Sequence, residues 1–248
     1  MNKISLNFVK TFLEKTRNDP FRRKALQVGI LGARKLLNQL RPVTFPIDLN
    51  NVAHFLKVKV YDFNFFEIKN EELKDCKGIT IKVNMLPQLF PKKRVEKAIA
   101  FFSDCAYITI IKNDLSPVEK RFTLAHELGH IYLKHLEARE KFISYINHLT
   151  AFNDIDDERF FDKNHLDNVI LKKERKIIAE QELSANAFAG ELLVPKRALQ
   201  VAINEKKLRD LKTLSFIFEV SPTVICIQAG IYGYLEYLLE ENKNLNHK

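Results

Sequence analysis

The sequence lacks the segments that membrane-spanning and secreted proteins carry. Its 248 residues contain no apolar run of the ~18 residues that a membrane-spanning helix needs. The N-terminus, MNKISLNFVKTFLEKTRND, is interrupted by charges too often to hold the apolar region of a signal peptide. We therefore expect a cytoplasmic protein that does not bind a membrane.

Cysteine is scarce, and its spacing argues against two kinds of structure. The three cysteines, Cys76, Cys105 and Cys226, lie far apart and form no CxxC pair. A disulfide framework needs paired cysteines, and a thiolate zinc site needs them closely spaced. The pattern instead fits the reduced thiols of a cytoplasmic protein.

A long basic stripe is also absent, although the net charge at pH 7 is +9. Most basic residues stand beside acidic ones, as in KNEELKDCK and LKKERKIIAEQE. Proteins that bind nucleic acid usually cluster their positive charge on one face, whereas interspersed charges are typical of a solvated surface. We therefore expect no direct contact with nucleic acid.

The chain does contain a mixture of helical and strand periodicities. Apolar residues at helical spacing predict an amphipathic helix over residues 22–40 and a short helix near 49–56. Alternating apolar and polar residues predict three strands. The strands are predicted at 56–63, 78–83 and 106–112, with a short helix in PKKRVEKAIAFF between the last two. These elements predict an α+β fold with a small sheet of three strands, or slightly more.

Two long helices are predicted in the second half of the chain. A serine, a proline and a glutamate within residues 116–119 form a strong helix start, so the first helix is predicted over residues 117–135. The second begins near Glu174 and is stopped by Pro195. The rest of the chain is predicted to be mostly helical.

The elements are predicted to form a single domain over residues 22–240. Residues 1–21 are then an N-terminal extension, and residues 241–248 are a flexible tail. The polar segment 137–172 separates the two long helices and carries two aromatic clusters, KFISYI and ERFFD. It is predicted to be an insertion or a lid.

Polar groups interrupt the apolar faces of both long helices. His126 and His130 lie one turn apart on a face that they share with Phe122, Gly129 and Leu133. On the second helix, a glutamate stands in the middle of an apolar stripe. The stripe consists of Ile178, Glu182, Ala185, Ala189 and Leu192.

These three side chains are predicted to bind a divalent cation. An unpaired buried carboxylate costs several kcal/mol, or its pKa shifts until it is neutral. Coordination of one cation by His126, His130 and Glu182 removes that cost, and nitrogen and oxygen ligands without thiolate favour Zn²⁺. Glu127 follows His126 directly, as in the HExxH signature of metallopeptidases. It is predicted to be the catalytic base that takes a proton from the zinc-activated water.

Three further residues on or near the two long helices are open to interpretation. Asn186 lies one turn after Glu182, where it orients a ligand histidine or makes an ordinary polar contact. His135 is five residues beyond His130 and is predicted to lie off the buried face, at the end of the helix. Gly129 indicates either the close approach of another backbone or ordinary helix packing.

The motifs RFTLAHELGH and ELSANAFAGELLVP resemble those of the ImmA/IrrE metallopeptidases, and the resemblance extends over about residues 22–235. It implies a zincin-like fold, with His126, His130 and Glu182 as metal ligands and Glu127 as the catalytic glutamate. Members of the family cleave or inactivate a helix-turn-helix repressor and so derepress a mobile element or a damage response. The resemblance therefore implies a protein substrate, bound in extended form along an edge strand. The expected edge strand is 106–112.

The sequence is also compatible with two alternative functions, DNA binding and non-catalytic regulation. Residues 208–233 have the rhythm of a helix-turn-helix, but the second helix, TVICIQAGIY, has almost no groups that contact bases or phosphates. A packing helix is therefore the favoured interpretation. The other alternative is a non-catalytic regulator that keeps the zinc fold and binds a repressor or DNA without turnover, and the intact Glu127 argues against it.

Overall fold

The computed structural model of the chain describes residues 6–62, 77–85, 102, 104–136, 144–145 and 169–245. Helices predominate in these residues, and four strands form one sheet. The helices are α1 (Leu6–Asn18), α2 (Pro20–Gln39), α3 (Leu49–Phe55), α4 (Pro117–Tyr132), α5 (Val169–Leu193), α6 (Lys196–Gln200), α7 (Leu211–Phe218), α8 (Pro222–Ile231) and α9 (Leu235–Leu245). The strands are β1 (Val58–Asp62), β2 (Gly78–Lys82), β3 (Tyr107–Ile111) and β4 (Ser144–Tyr145). The predicted α+β composition with a small sheet is confirmed.

The order of the strands corrects the prediction that 106–112 is an edge strand. The sheet has the order β1-β3-β2-β4, in which β3 pairs in parallel with β1 and antiparallel with β2. The strand therefore lies inside the sheet, where its Ile108 and Ile110 are fully buried. A strand with both edges paired has no free backbone groups for an added peptide. Within the described sheet, the outer strands are β1 and the two-residue β4, which pairs with Ile79 and Thr80 of β2.

The long helix α5 is the centre of the helical layer. It packs against α2 on one side and against α4 on another, and α4 in turn lies on strands β2 and β3. Phe188 and Leu192 of α5 are fully buried in the core that these helices share. The core thus fixes how α4 and α5 face each other.

The predicted N-terminal extension contributes to this core. Helix α1 packs against α2 and α8. Its Val9 and Phe12 are buried at 0% and 1% exposure, and both belong to the main hydrophobic cluster. Residues 6–18 are therefore packed like the rest of the described fold.

The observed ends of the two long helices differ from the predicted ones at two places. Helix α4 begins at the predicted Ser116 cap, where Glu119 accepts hydrogen bonds from the backbone N–H (3.1 Å) and the hydroxyl (2.6 Å) of that serine. It ends at Tyr132 rather than near 135, because Lys134 adopts a left-handed conformation with φ of 62°. Helix α5 begins at Val169, five residues before the predicted start, and ends just before Pro195.

The predicted tail at 241–248 is helical as far as Leu245, where α9 ends. Most of the predicted insertion at 137–172, and most of the helix predicted in PKKRVEKAIAFF, lie outside the described residues.

Helices α7 and α8 occupy the predicted helix-turn-helix segment. Residues Val224 to Ala229 of α8 are all buried, so this helix packs in the protein core as predicted. Among the described helices, none is by itself long and apolar enough to cross a membrane. Helices α7 and α8 meet that criterion only as a pair, with a bend of 98° between them.

The contact between α2 and α5 predicts that replacing Gly29 by alanine destabilises the protein, although such a replacement normally stabilises a helix. A Cβ atom on Gly29 would lie 2.1 Å from the carbonyl oxygen of Ser184 and 2.7 Å from the backbone nitrogen of Phe188. Inside a helix, Gly→Ala normally stabilises by roughly 0.5–1 kcal/mol. Here we expect Gly29→Ala to lower the free energy of unfolding by about 3 kcal/mol, since the backbone of α5 cannot move aside.

The matched control is Gly32→Ala on the same helix, where the nearest atom is the end of the flexible Leu133 side chain at 2.6 Å. We expect a smaller loss for this variant in urea denaturation. A Gly29→Ala protein as stable as the wild type would contradict the observed packing.

Candidate metal centre

Helices α4 and α5 bring the predicted ligand residues together. His126, Glu127 and His130 lie on the buried side of α4, and Glu182 is presented by α5. The two helices approach closely at Gly129. A Cβ atom there would lie 3.0 Å from the Phe188 ring and 3.3 Å from the carbonyl oxygen of Ala185. Both interpretations of Gly129 therefore hold, because a side chain and a backbone group of α5 lie against it.

The nitrogen and oxygen atoms of this site converge on one point. His126 Nε2 is 2.8 Å from His130 Nε2. The Glu182 carboxylate is 3.2 Å from His126 Nε2 and 3.5 Å from His130 Nε2. Ligand atoms around a tetrahedral zinc ion stand about 3.3 Å apart, given Zn–N distances of roughly 2.0–2.1 Å. Among the described residues, these three side chains form a group that is close enough to hold a metal ion.

The charges of the site depend on one another. The imidazole rings are almost fully buried, at 1% and 2% exposure, while the Glu182 side chain is 23% exposed. Burial by itself raises the pKa of Glu182. The His130 and His126 rings lower this pKa by more than burial raises it, so the pKa lies below its ordinary value. Burial lowers the pKa of His126, but Glu182 more than offsets it, so the pKa is raised. The carboxylate is therefore ionised and faces two imidazole nitrogens.

The Asn186 side chain contacts the ring of His126, one of the predicted ligand residues. His126 Nδ1 is 2.6 Å from the Asn186 side-chain oxygen. An amide oxygen only accepts hydrogen bonds, so Nδ1 carries the proton, and in the neutral ring the lone pair is on Nε2. That lone pair is directed towards the Glu182 carboxylate. Asn186 thus fixes the ring in the form that can bind a cation.

Glu127 lies beside the ligand group without belonging to it. The residue is completely buried. Its Oε2 accepts a hydrogen bond of 2.6 Å from the Thr80 hydroxyl on β2, and the Thr109 hydroxyl is 3.0 Å from that of Thr80. Its Oε1 is buried and accepts no hydrogen bond from the described residues. Burial raises the pKa of Glu127 to about 7. A carboxyl group with such a pKa can take up and release a proton near neutrality.

His135 lies next to the site, in contrast to its predicted position off the buried face. The side chain is only 8% exposed, and its Nδ1 is 3.1 Å from His130 Nδ1. The helical spacing that underlies the prediction fails here, since α4 has already ended at Tyr132. The left-handed Lys134 reverses the chain, and the backbone N–H of His135 donates to the carbonyl of His130 at 2.9 Å.

Sequence reasoning missed Thr80 and placed His135 wrongly. Thr80 stands in the alternating segment GITIKV, where a threonine is an ordinary strand residue. Its contact with Glu127 depends on how the sheet packs against α4. No local signal in the sequence indicates the left-handed turn before His135, because that position holds a lysine rather than a glycine.

The hydrogen bond between Thr80 and Glu127 predicts a difference between two threonine substitutions. Thr80→Val removes the donor of a buried carboxylate, which costs roughly 1–3 kcal/mol of the free energy of unfolding. Thr109→Val removes a hydroxyl that is equally buried but leaves the donor to Glu127 in place. We expect the first variant to be clearly the less stable in denaturation of the metal-free protein. Equal stabilities would contradict the role of Thr80.

Comparison with known proteins supports the family that the motifs indicate. The model of the peptidase M78 family, described as the IrrE N-terminal-like domain, matches residues 87–160. The match includes all of α4, with its HExxH motif, and ends before α5. No curated protein matches the chain. The M78 match implies a metallopeptidase and confirms the resemblance stated above. Over residues 87–160, the chain is therefore similar to the ImmA/IrrE family.

Proposed function

We propose that the protein is a zinc-dependent endopeptidase that cleaves a specific protein partner. The observation that carries the proposal is the convergence of three ligand side chains beside a buried glutamate. His126, His130 and Glu182 come from two separate helices, and their ligand atoms lie within 4.8 Å of one another. Glu127 adds a carboxyl group that is held by the sheet and takes no part in the ligand group.

The donor set supports zinc as the metal. Two imidazoles and one carboxylate, without a thiolate, are the ligands of catalytic zinc sites in several peptidase families. Three protein ligands also leave one coordination position for water or substrate. A divalent cation bound by His126, His130 and Glu182 would supply a Lewis acid that polarises a peptide carbonyl and acidifies water.

Glu127 is the proposed proton carrier. When the oxygen of a water molecule attacks the carbonyl carbon of the substrate, the Glu127 carboxylate takes up the proton that the water loses. The carbon–nitrogen bond then breaks, and the same carboxyl group gives a proton to the leaving amine. Thr80 holds Oε2 by its hydroxyl, so that Oε1 is the oxygen left to carry the proton.

The proposed substrate is a helix-turn-helix repressor, whose cleavage derepresses a mobile element or a stress response. Support for this comes from the family resemblance. An extended substrate cannot add to β3, because both edges of that strand are paired. We place it on the side of the sheet where β2 and β4 lie, since β2 carries the Thr80 that contacts Glu127.

The first prediction from this proposal concerns metal content. Wild-type protein is expected to bind about one zinc ion per chain, and Glu182→Gln and His126→Ala to bind much less, because each variant loses one of three ligands. The control is Glu180→Gln on the same helix, where the native glutamate pairs with Lys24 at 3.1 Å, away from the ligand group. Metal analysis after dialysis measures the difference. Full zinc content without His126 would refute the assigned site.

The second prediction concerns catalysis. Glu127→Gln is expected to keep the zinc but to lose cleavage of a candidate repressor by a factor of about 10² or more, since the amide cannot take up the proton. The readout is the appearance of repressor fragments with time, with Glu180→Gln again as the control. Cleavage at the wild-type rate by Glu127→Gln would refute the mechanism. Zinc binding and repressor binding by the wild type without any cleavage would instead establish the non-catalytic regulator.

A further inference from the structure

We propose that His135 and Ser184 are positioning residues for the ligand His130. Together they fix which nitrogen of the His130 ring carries the proton, and thereby leave Nε2 able to bind the cation. The inference rests on the proposed metal centre and assigns a role to two residues outside the HExxH motif.

A chain of hydrogen bonds leads away from Nδ1 of His130, the ring nitrogen that does not contact Glu182. His130 Nδ1 is 3.1 Å from His135 Nδ1, and His135 Nε2 is 3.3 Å from Ser184 Oγ. The Ser184 hydroxyl donates to the carbonyl oxygen of Gln181 at 3.0 Å. All three side chains are buried, with exposures of 2%, 8% and 2%. Hydrogen bonds in such a place are costly to lose, because water does not replace them.

The last bond of the chain determines the direction of the others. A carbonyl oxygen only accepts, so the single hydrogen of the Ser184 hydroxyl is used by Gln181. Ser184 Oγ must then accept from His135 Nε2–H. A neutral imidazole carries one N–H, so His135 Nδ1 accepts and His130 Nδ1 donates. The lone pair of the His130 ring is therefore on Nε2, the atom that faces Glu182.

The rings of His126 and His130 are thus held in the same tautomer, with the proton on Nδ1, by different acceptors. Asn186 accepts from Nδ1 of His126, and His135 accepts from Nδ1 of His130. Both acceptors depend on helix α5. Asn186 is itself a residue of α5, and His135 is hydrogen-bonded to Ser184 of α5. The Ser184 backbone is in turn fixed by its close contact with Gly29 of α2. The packing of three helices therefore sets the orientation of both ligands.

Loss of the His135 acceptor has a defined consequence. The His130 N–H would be left in a buried place without the acceptor that fixes its proton on Nδ1. The ring can then place its proton on Nε2 instead, and in that form it cannot bind the cation. Removing such an outer partner of a metal ligand typically lowers metal affinity 10–100-fold.

The test compares four variants of the full chain. His135→Leu removes the acceptor, and His135→Asn retains an amide oxygen near the position of Nδ1. Ser184→Ala removes the acceptor of His135 Nε2–H. His54→Leu is the control, because His54 is exposed on α3. Zinc affinity is measured by competition with a chelating indicator. The tautomer of His130 is measured by ¹⁵N NMR of the metal-free protein at a pH where the rings are neutral.

The expected results differ between the variants. His135→Leu should bind zinc at least about 10-fold more weakly, and Ser184→Ala should be weakened in the same direction by a smaller factor. His135→Asn and His54→Leu should stay close to wild type. In wild-type protein, the His130 ring should carry its proton on Nδ1, and Ser184→Ala should reduce the population of that form.

Three outcomes would overturn the inference. The first is that folded His135→Leu and Ser184→Ala bind zinc as tightly as the wild type does. The others are that His130 of the wild-type protein carries its proton on Nε2, or that Ser184→Ala leaves the tautomer of His130 unchanged. If His135→Leu does not fold, as judged by thermal unfolding of the metal-free protein, the Ser184→Ala and NMR measurements decide. Normal zinc binding and repressor cleavage by His135→Leu would overturn this inference and leave the proposed function intact. A wild-type protein that binds no zinc would instead contradict the proposed function, and the tautomer measurement would still test the hydrogen-bond chain.

Discussion

The structure depends on one packing contact, that between helices α4 and α5. Gly129 of α4 allows the Phe188 ring and the Ala185 carbonyl to approach, and this approach brings Glu182 to within hydrogen-bonding distance of two buried imidazoles. None of these groups is stable alone in an apolar interior. Each offsets the burial cost of the others, so the helix packing and the site require one another.

The helices and the sheet position different groups of the site. The helices supply the three predicted ligand side chains. Asn186 contacts the His126 ring, and His135, just beyond the end of α4, links the His130 ring to Ser184. The sheet holds the remaining carboxyl group, because Thr80 of β2 donates to Glu127. A change in either layer therefore affects a different part of the proposed chemistry: metal binding in one case and proton transfer in the other.

The sequence predicts the parts of this arrangement that depend on helical spacing. His126 and His130 on one face, Glu182 in an apolar stripe and Asn186 one turn later all follow from a period of 3.6 residues. The order of the strands has no such local signal, and β3 proves to be interior rather than an edge. The position of His135 could not be predicted either, because it depends on a left-handed lysine that ends the periodicity. Thr80 meets Glu127 only through tertiary packing, across 47 residues of sequence.

The central claim is that three side chains from two helices hold one cation. Diffraction from crystals of the protein grown with zinc, measured on both sides of the zinc absorption edge, tests it most directly. One anomalous peak per chain is expected, within about 2.0–2.2 Å of His126 Nε2, His130 Nε2 and a Glu182 carboxylate oxygen. A peak at other side chains, or zinc-soaked crystals without a peak at these three, would contradict it.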